Sequence, residues 1–380
     1  MAKILGVIGG GQLGLMLTEA ANQMPEYISQ VVVLDPTPNC PASQAGAKQI
    51  IADFKDENAI LDLAEKSDII TYEIESGNSD VLKKLENKTV INPSPDTLKI
   101  IQDKLEQKKF LLKNKIPIAE FAEINNLNEL KKIITDFGLP VLLKVRKDAY
   151  DGRGNYKISS IDEISKAYSS FTNKPLMVEK FVDFKMEVSV IASRNTNGEI
   201  LTYPVVENIH EENILRMTIA PARVSDAVSN NAKLISHKTM EVLNGAGVFG
   251  IEMFVTNDDV VLINEIAPRV HNSGHHTLQS SKTSQFEQHL RAILGLKLGS
   301  TELIHHTVMY NILGPANFHD TYKPIIINAD DVFLKMYGKE ISKTKRKLGH
   351  FNVVDIDDSK NTEKLLDRVN EIKNSISFQN

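Results

Sequence analysis

Cysteine is almost missing from this sequence. Cys40 is the only one among 380 residues, so no disulfide can form within the chain. That usage fits a reducing compartment and predicts a cytoplasmic protein. No base and no second cysteine lies near it in sequence, so Cys40 reads as a small buried residue. An excess of one charge is missing as well. With 44 Lys and Arg against 49 Asp and Glu, the net charge is −5. That argues against nucleic acid as a partner but leaves room for a local basic site for phosphates. No apolar run approaches the roughly 20 residues of a membrane span, and no membrane partner is expected. The first residues lead into a strand and not into the apolar region of a signal peptide. Internal repeats and low-complexity segments are absent. The length allows two or three domains.

What is present begins as alternating β and α. Residues 3–8 read as a buried strand, followed by Gly9-Gly10-Gly11-Gln12-Leu13-Gly14, a helix over 15–23 and a strand over 30–34 ending at Asp35. Read alone, this opening with an acid after its second strand says dinucleotide. Two further units follow: strands at 49–52 and 68–72, helices at 57–65 and 80–85. Residues 89–92 close a parallel sheet. Asn92-Pro93-Ser94-Pro95-Asp96 is a break, with Ser94 and Pro95 placed to start one helix running to about Asn114. From Ile118 the pattern becomes α+β. Strands are expected at 139–144, 176–181, 186–194 and 199–206, and helices at 163–169 and 232–243. A β-rich tail after about Thr301 ends in a helix over 362–376.

Four constellations carry chemistry. In 248–266, two β-type runs flank Asn257-Asp258-Asp259, and each embeds one acid, Glu252 and Glu265. Carboxylates are rarely buried unless paired or metal-bound. A hairpin can present both to one Mg²⁺, with Asn264 adding a neutral oxygen. Edge-facing acids on an ordinary strand pair are the alternative. Lys144 ends a buried strand, suited to ATP phosphates or simply to water. Tyr150-Asp151-Gly152-Arg153-Gly154-Asn155 is a loop whose N–H groups can cover phosphates, or a plain turn. Glu179-Lys180-Phe181-Val182 suits an adenine and ribose contact, or a half-buried strand.

The order of these four resembles the ATP-grasp superfamily. Further segments narrow the resemblance: Thr71-Tyr72-Glu73-Ile74-Glu75, Tyr203-Pro204-Val205-Val206-Glu207, Ala267-Pro268-Arg269-Val270-His271-Asn272-Ser273-Gly274-His275, Tyr337-Gly338-Lys339 and Arg346-Lys347-Leu348-Gly349-His350. Together they resemble the N5-carboxyaminoimidazole ribonucleotide synthases over nearly the whole chain. That resemblance implies an α/β and α+β protein. Residues 1–100 would form an N-terminal parallel, Rossmann-like domain. Residues 101–299 would form the ATP-grasp domain, with a lid near 116–182, and 300–380 a small β-rich C-terminal domain.

It also implies the site. ATP would be held by Lys104, Lys144, the Tyr150 to Asn155 loop (Tyr150, Asp151, Gly152, Arg153, Gly154, Asn155), Glu179, Lys180, Phe181, Val182, Glu187, His210, Asn264 and Glu265. Magnesium, or manganese in its place, would sit on Glu252 and Glu265. The aminoimidazole ribonucleotide would meet Gln12, Leu13, Glu73, Arg153, Asn272, Lys339 and Arg346. Chemistry would fall to Tyr150, Asp151, Arg269, His271 and Lys339. Bicarbonate would be the third substrate, and a homodimer the assembly. Two positions depart from the family pattern. Asp148-Ala149 stands where a glycine pair is usual, and Leu15 where a basic residue is common. Three rivals follow from parts of the chain: a nicotinamide-dependent dehydrogenase, a formate-using glycinamide ribonucleotide transformylase, and a non-catalytic ATP-binding module.

Overall fold

Alternating apolar strands and amphipathic helices at the start of the chain build a parallel sheet in the computed structural model, which describes residues 1–148, 154–323 and 325–378. Its strand order is Lys48–Ile50, Ile28–Leu34, Lys3–Ile8, Ile69–Tyr72, Val90–Ile91. The order reverses at Lys3–Ile8, which pairs in parallel with both Ile28–Leu34 and Ile69–Tyr72. Ligands of such sheets bind beyond the carboxyl ends of the strands at this reversal. The glycine-rich turn lies there, and its helix is Gln12–Asn22.

The helix expected from Ser94 to about Asn114 is two helices, Pro95–Gln102 and Lys104–Lys113. Asp103 breaks them. Its backbone is extended, and its carboxylate accepts both from Leu105 N of the second helix and, bidentately, from Arg146 at 2.9 and 2.7 Å. Lys104 N donates to Arg146 O. A distant strand end thus decides where the second helix starts, which local propensity does not reveal.

A four-stranded antiparallel sheet follows, ordered Phe121–Ile124, Leu176–Lys180, Val141–Val145, Asn155–Ile158. Its core is separate, around Leu130, Leu143 and Val178. The largest sheet joins Val261–Ala267, Gly247–Thr256, Phe184–Arg194, Val206–Glu211, Ile214–Ala220, Thr307–Leu313, Lys347–Val354 and Val332–Met336. The C-terminal strands therefore continue the sheet that carries the hairpin. The strand expected over 199–206 is interrupted at 203–205, where Pro204 has no N–H to give a ladder. The helix expected over 232–243 starts earlier, as Asp226–Leu243. Ser225 caps it through Val228 N ahead of polar first turns that carry no apolar period.

One apolar cluster ties the parts together. Leu17 and Val33 of the parallel sheet layer pack with Ile191, Val248, Phe286 and Tyr337. Among the described residues no helix is long and apolar enough to cross a membrane.

Candidate active site

The glycine-rich turn is filled from within. Asp35 Oδ2 accepts from Gly10 N at 2.9 Å and its Oδ1 from Thr37 N at 2.8 Å. The Glu73 carboxylate accepts from Gly11 N and Gly14 N. An acid thus occupies the donors that a dinucleotide's pyrophosphate would need. At Gly9, φ is +101° and an added Cβ would lie 2.3 Å from Glu73 Cγ, so the glycines make room for a carboxylate. Burial pushes the Glu73 carboxyl up, against the pull of the two N–H groups. Asp35 is likewise spent on the turn. The dehydrogenase reading fails on these two residues.

At the turn's mouth, Lys339 Nζ donates to Gln12 Oε1 at 2.6 Å and to Lys347 O at 2.8 Å. Burial, then Arg346, pull Lys339 down to about 8. A cavity of about 700 Å³ opens here, lined by Gln12, Glu212, Lys339, Lys343, Lys345 and Arg346 among others. Such a basic wall suits a phosphate. Leu13 departs from expectation: its side chain is buried in the apolar core and does not line the cavity, because it faces inward from the first helical turn.

Glu252 and Glu265 stand directly opposite each other across the hairpin. The register then shifts, Met253 pairing with Ile263, so Asn264 is the extra residue of a bulge. A bulge sets two residues against one, which brings Asn264 and Glu265 together opposite Glu252 despite strand alternation. The two side chains are 26% and 46% exposed, open to the cleft. Burial and then Glu265 push Glu252 up to about 7. Burial would raise Glu265 too, but Lys104 beside it holds it low. Among the described residues no cluster of three or more His, Cys, Asp or Glu side chains could cage a metal by itself. Two facing carboxylates fit Mg²⁺, which takes one or two carboxylates and completes its shell with phosphate and water.

Next to this pair lies a second set of charges. Glu179 is 4% exposed and touches Lys144 with Oε2 and Lys108, at 2.8 Å, with Oε1. Burial alone would raise its pKa; Lys108 and Lys144 bring it down to about 2. Asn155 pairs with Lys144 across the four-stranded sheet, and Gly154 O accepts from Val145 N. Lys180 reaches Glu120 at 2.8 Å on the exposed side. Phe181 and Val182 are half-buried just past the strand, with Lys157 3.9 Å from the Phe181 ring centre. Glu187 lies 3.1 Å from His210. Burial lowers His210, but Glu187 overrides it and the net shift is upward. Tyr150, Asp151, Gly152 and Arg153 lie outside the described residues, as does Ala149.

The loop after the hairpin completes the cleft. Arg269 pairs with Glu75 at 2.8 Å. Gln285 clasps the His271 backbone, accepting from its N–H at 2.8 Å and donating to its O at 2.7 Å. Asn208 donates to Ser189 Oγ, Ser189 to Ser273 Oγ, and Ser273 N to His271 Nδ1. That direction leaves the Ser273 hydroxyl to donate to Nδ1 at 2.9 Å and puts the ring proton on Nε2, 3.3 Å from Glu252. Burial, then Arg269, keep the ring neutral. His271 therefore offers a donor to Glu252 and has no lone pair left to deprotonate a substrate amine. Asn272 is also engaged: its amide and that of Asn311 bond reciprocally at 3.1 and 2.7 Å.

Sequence reasoning missed Lys108, Glu75, Gln285 and Asn311. Lys108 had one signal, its place four residues after Lys104 on a helix. Glu75 and Asn311 find their partners far along the chain, and Gln285 reaches back 14 residues to His271.

Comparison with known proteins agrees with this architecture. Residues 1–102 match the ribonucleotide synthetase preATP-grasp domain, 109–286 the ATP-grasp domain, and 307–364 the phosphoribosylaminoimidazole carboxylase C-terminal domain. The N5-carboxyaminoimidazole ribonucleotide synthase of Bacillus subtilis is 40% identical, covering 91% of this chain and 90% of that one. The phosphoribosylaminoimidazole carboxylase of Candida glabrata is also 40% identical over 93% of this chain, but the chain spans only 64% of that protein's length. The crystal structure of an Aspergillus clavatus N5-carboxyaminoimidazole synthase, in complex with ADP and 5-aminoimidazole ribonucleotide, superposes with TM-score 0.86 at 35% identity, covering 97% of this chain and 99% of that one. With relatives this similar along nearly the whole of this chain, and with the Bacillus subtilis relative covered to 90%, the chain belongs to the N5-carboxyaminoimidazole ribonucleotide synthase family of ATP-grasp proteins.

Proposed function

We propose that this chain uses ATP and bicarbonate to carboxylate 5-aminoimidazole ribonucleotide at its exocyclic amine, releasing ADP and phosphate in purine biosynthesis. The observation that carries the reading is the presence of two opposite charge patterns, a facing acid pair on the hairpin and a separate basic cavity. The facing carboxylates Glu252 and Glu265 suit Mg²⁺, and the basic cavity around Lys339 and Arg346 suits a ribonucleotide phosphate.

Bicarbonate is a poor electrophile. Transfer of the terminal phosphoryl of ATP to it gives carboxyphosphate, which releases CO₂ and phosphate; the amine then adds to CO₂ and loses a proton. Phosphoryl transfer needs alignment and charge neutralisation. Glu252 and Glu265, with Asn264 beside them, would hold Mg²⁺, which supplies charge neutralisation at the phosphates. Lys104 and Lys144 would turn from their carboxylates to phosphate oxygens. Lys180 to Val182, Glu187 and His210 would receive adenine and ribose, with Glu179 holding Lys144 beside them until it turns. Arg269, aimed by Glu75, and Lys339 would hold the carboxyphosphate. Arg346 would take the ribonucleotide phosphate, with Gln12 and Glu73 near its sugar. His271 would steady Glu252, leaving the amine proton to Asp151. Family membership also supports a homodimer, which sedimentation of the purified chain would test, and the near absence of cysteine supports a cytoplasmic location.

The deciding experiment is ADP release with Mg-ATP and bicarbonate, with and without the ribonucleotide, and the product identified by mass. Strong stimulation and a carboxylated product are expected. ATP binding without stimulation would refute the acceptor, and formate with glycinamide ribonucleotide would then be the pair to try.

A further inference from the structure

Lys108 has no part in that scheme, yet it is one of the most enclosed charges in the chain, 3% exposed. It lies one turn beyond Lys104 on the helix Lys104–Lys113, so both lysines face the same way. Lys104 reaches Glu265, and Lys108 reaches Glu179 at 2.8 Å and Ile263 O at 3.3 Å. Enclosing an ammonium is costly unless it answers another charge.

That charge is Glu179, and it is shared. Its other oxygen touches Lys144, a cation placed to meet phosphate. Without Lys108, Lys144 would be the single cation on a carboxylate shut away from water. Turning Lys144 to a phosphate would then strand that carboxylate, and Lys144 would stay where it is. With Lys108 present, Glu179 keeps a partner when Lys144 leaves. We propose that Lys108 is a positioning residue, the counter-charge that holds Glu179 so that Lys144 can be released to the triphosphate of ATP. This rests on the reading of the cleft as an ATP site.

The test is direct calorimetric binding of Mg-ATP to the full chain, as wild type, K108M, K108R, E179Q and E179Q/K108M, with KM for both substrates. Removing one partner of a buried pair is strongly unfavourable, so K108M should weaken Mg-ATP binding at least about tenfold, and K108R should recover most of it. The ribonucleotide KM should stay within about twofold, since its cavity is elsewhere. In the E179Q background there is no carboxylate to hold, so adding K108M should change Mg-ATP affinity by less than about threefold. K108M binding Mg-ATP like wild type would overturn the inference, as would the same loss in the E179Q background or a parallel rise in both KM values. Should K108M fail to fold, the comparison of E179Q with E179Q/K108M decides alone. A wild type that does not bind Mg-ATP would refute the site itself, a different result from wild-type binding that K108M leaves untouched.

Discussion

His289 joins two sheets, and replacing it by Gln should change the acid stability of the fold in a calculable way. The ring is fully buried. Its Nδ1 accepts from Val248 N at 3.0 Å, so Nε2 carries the proton and donates to Thr71 Oγ1 at 2.7 Å. Burial pushes its pKa down to about 3. In the unfolded chain an ordinary histidine titrates near 6.5. Above that value both states are neutral and pH has no effect through this group. Between about 6.5 and 3 the unfolded chain binds a proton that the native state refuses, so stability falls as pH falls. At pH 5 the interval covered is about 1.5 units, worth about 2 kcal/mol at 1.36 kcal/mol per unit. His276 and His350, also pushed to about 3 by burial, act in the same sense. Glu252 acts in the opposite sense: its raised carboxyl takes a proton in the native state first, which offsets part of the loss between about pH 7 and 4.5. A difference between two variants cancels those shared contributions. At pH 8, H289Q should be less stable than wild type by about 1–3 kcal/mol for the disrupted bonds. At pH 5 that gap should shrink by about 2 kcal/mol, because the wild type alone bears the histidine's acid cost. Urea unfolding at both pH values measures it. A gap that stays constant within about 0.5 kcal/mol would mean that His289 titrates normally and that the argument from its burial is wrong.

Three further outcomes are expected. Arg346→Ala should raise the ribonucleotide KM by about thirtyfold, as a charge-assisted bond to phosphate is lost, with the ATP KM little changed; equal effects on both would refute its role. Asp151→Asn should lower kcat by about 10²–10⁴-fold, the usual worth of a general base, and full kcat would remove Asp151 from the proton step. Glu73→Ala leaves one buried and one half-buried N–H group of the glycine-rich turn without their acceptor and should cost about 2 kcal/mol in thermal or urea unfolding; unchanged stability would mean that the carboxylate does not hold the turn.

Much of the site was legible because its parts are local in sequence. Glu252 and Glu265 stood out as acids in apolar runs, and hairpin pairing put them opposite each other. The glycine-rich turn was equally visible, but its spacing pointed to a dinucleotide. The contradiction came from Glu73, 59 and 62 residues from the two N–H groups it accepts from. A turn motif records the shape of the backbone and not what fills it. His271 illustrates the same limit, because its tautomer follows from Ser189 and Asn208, which lie on other strands.

Sequence alone determined the alternating strands and helices of the parallel opening, the hairpin and the run of charged segments that defines the family. These follow from periodicity, turn chemistry and the high cost of hiding a charge, all of which act over a few residues. Tertiary structure decided which charge answers which. It split the helix at Asp103 through Arg146, set Asn264 beside Glu265 through a bulge, filled the glycine-rich turn with Glu73, and gave Glu179 two lysines. Electrostatic partners are chosen by distance in space, and a chain folded through three sheets brings together residues whose separation in sequence carries no trace of the contact.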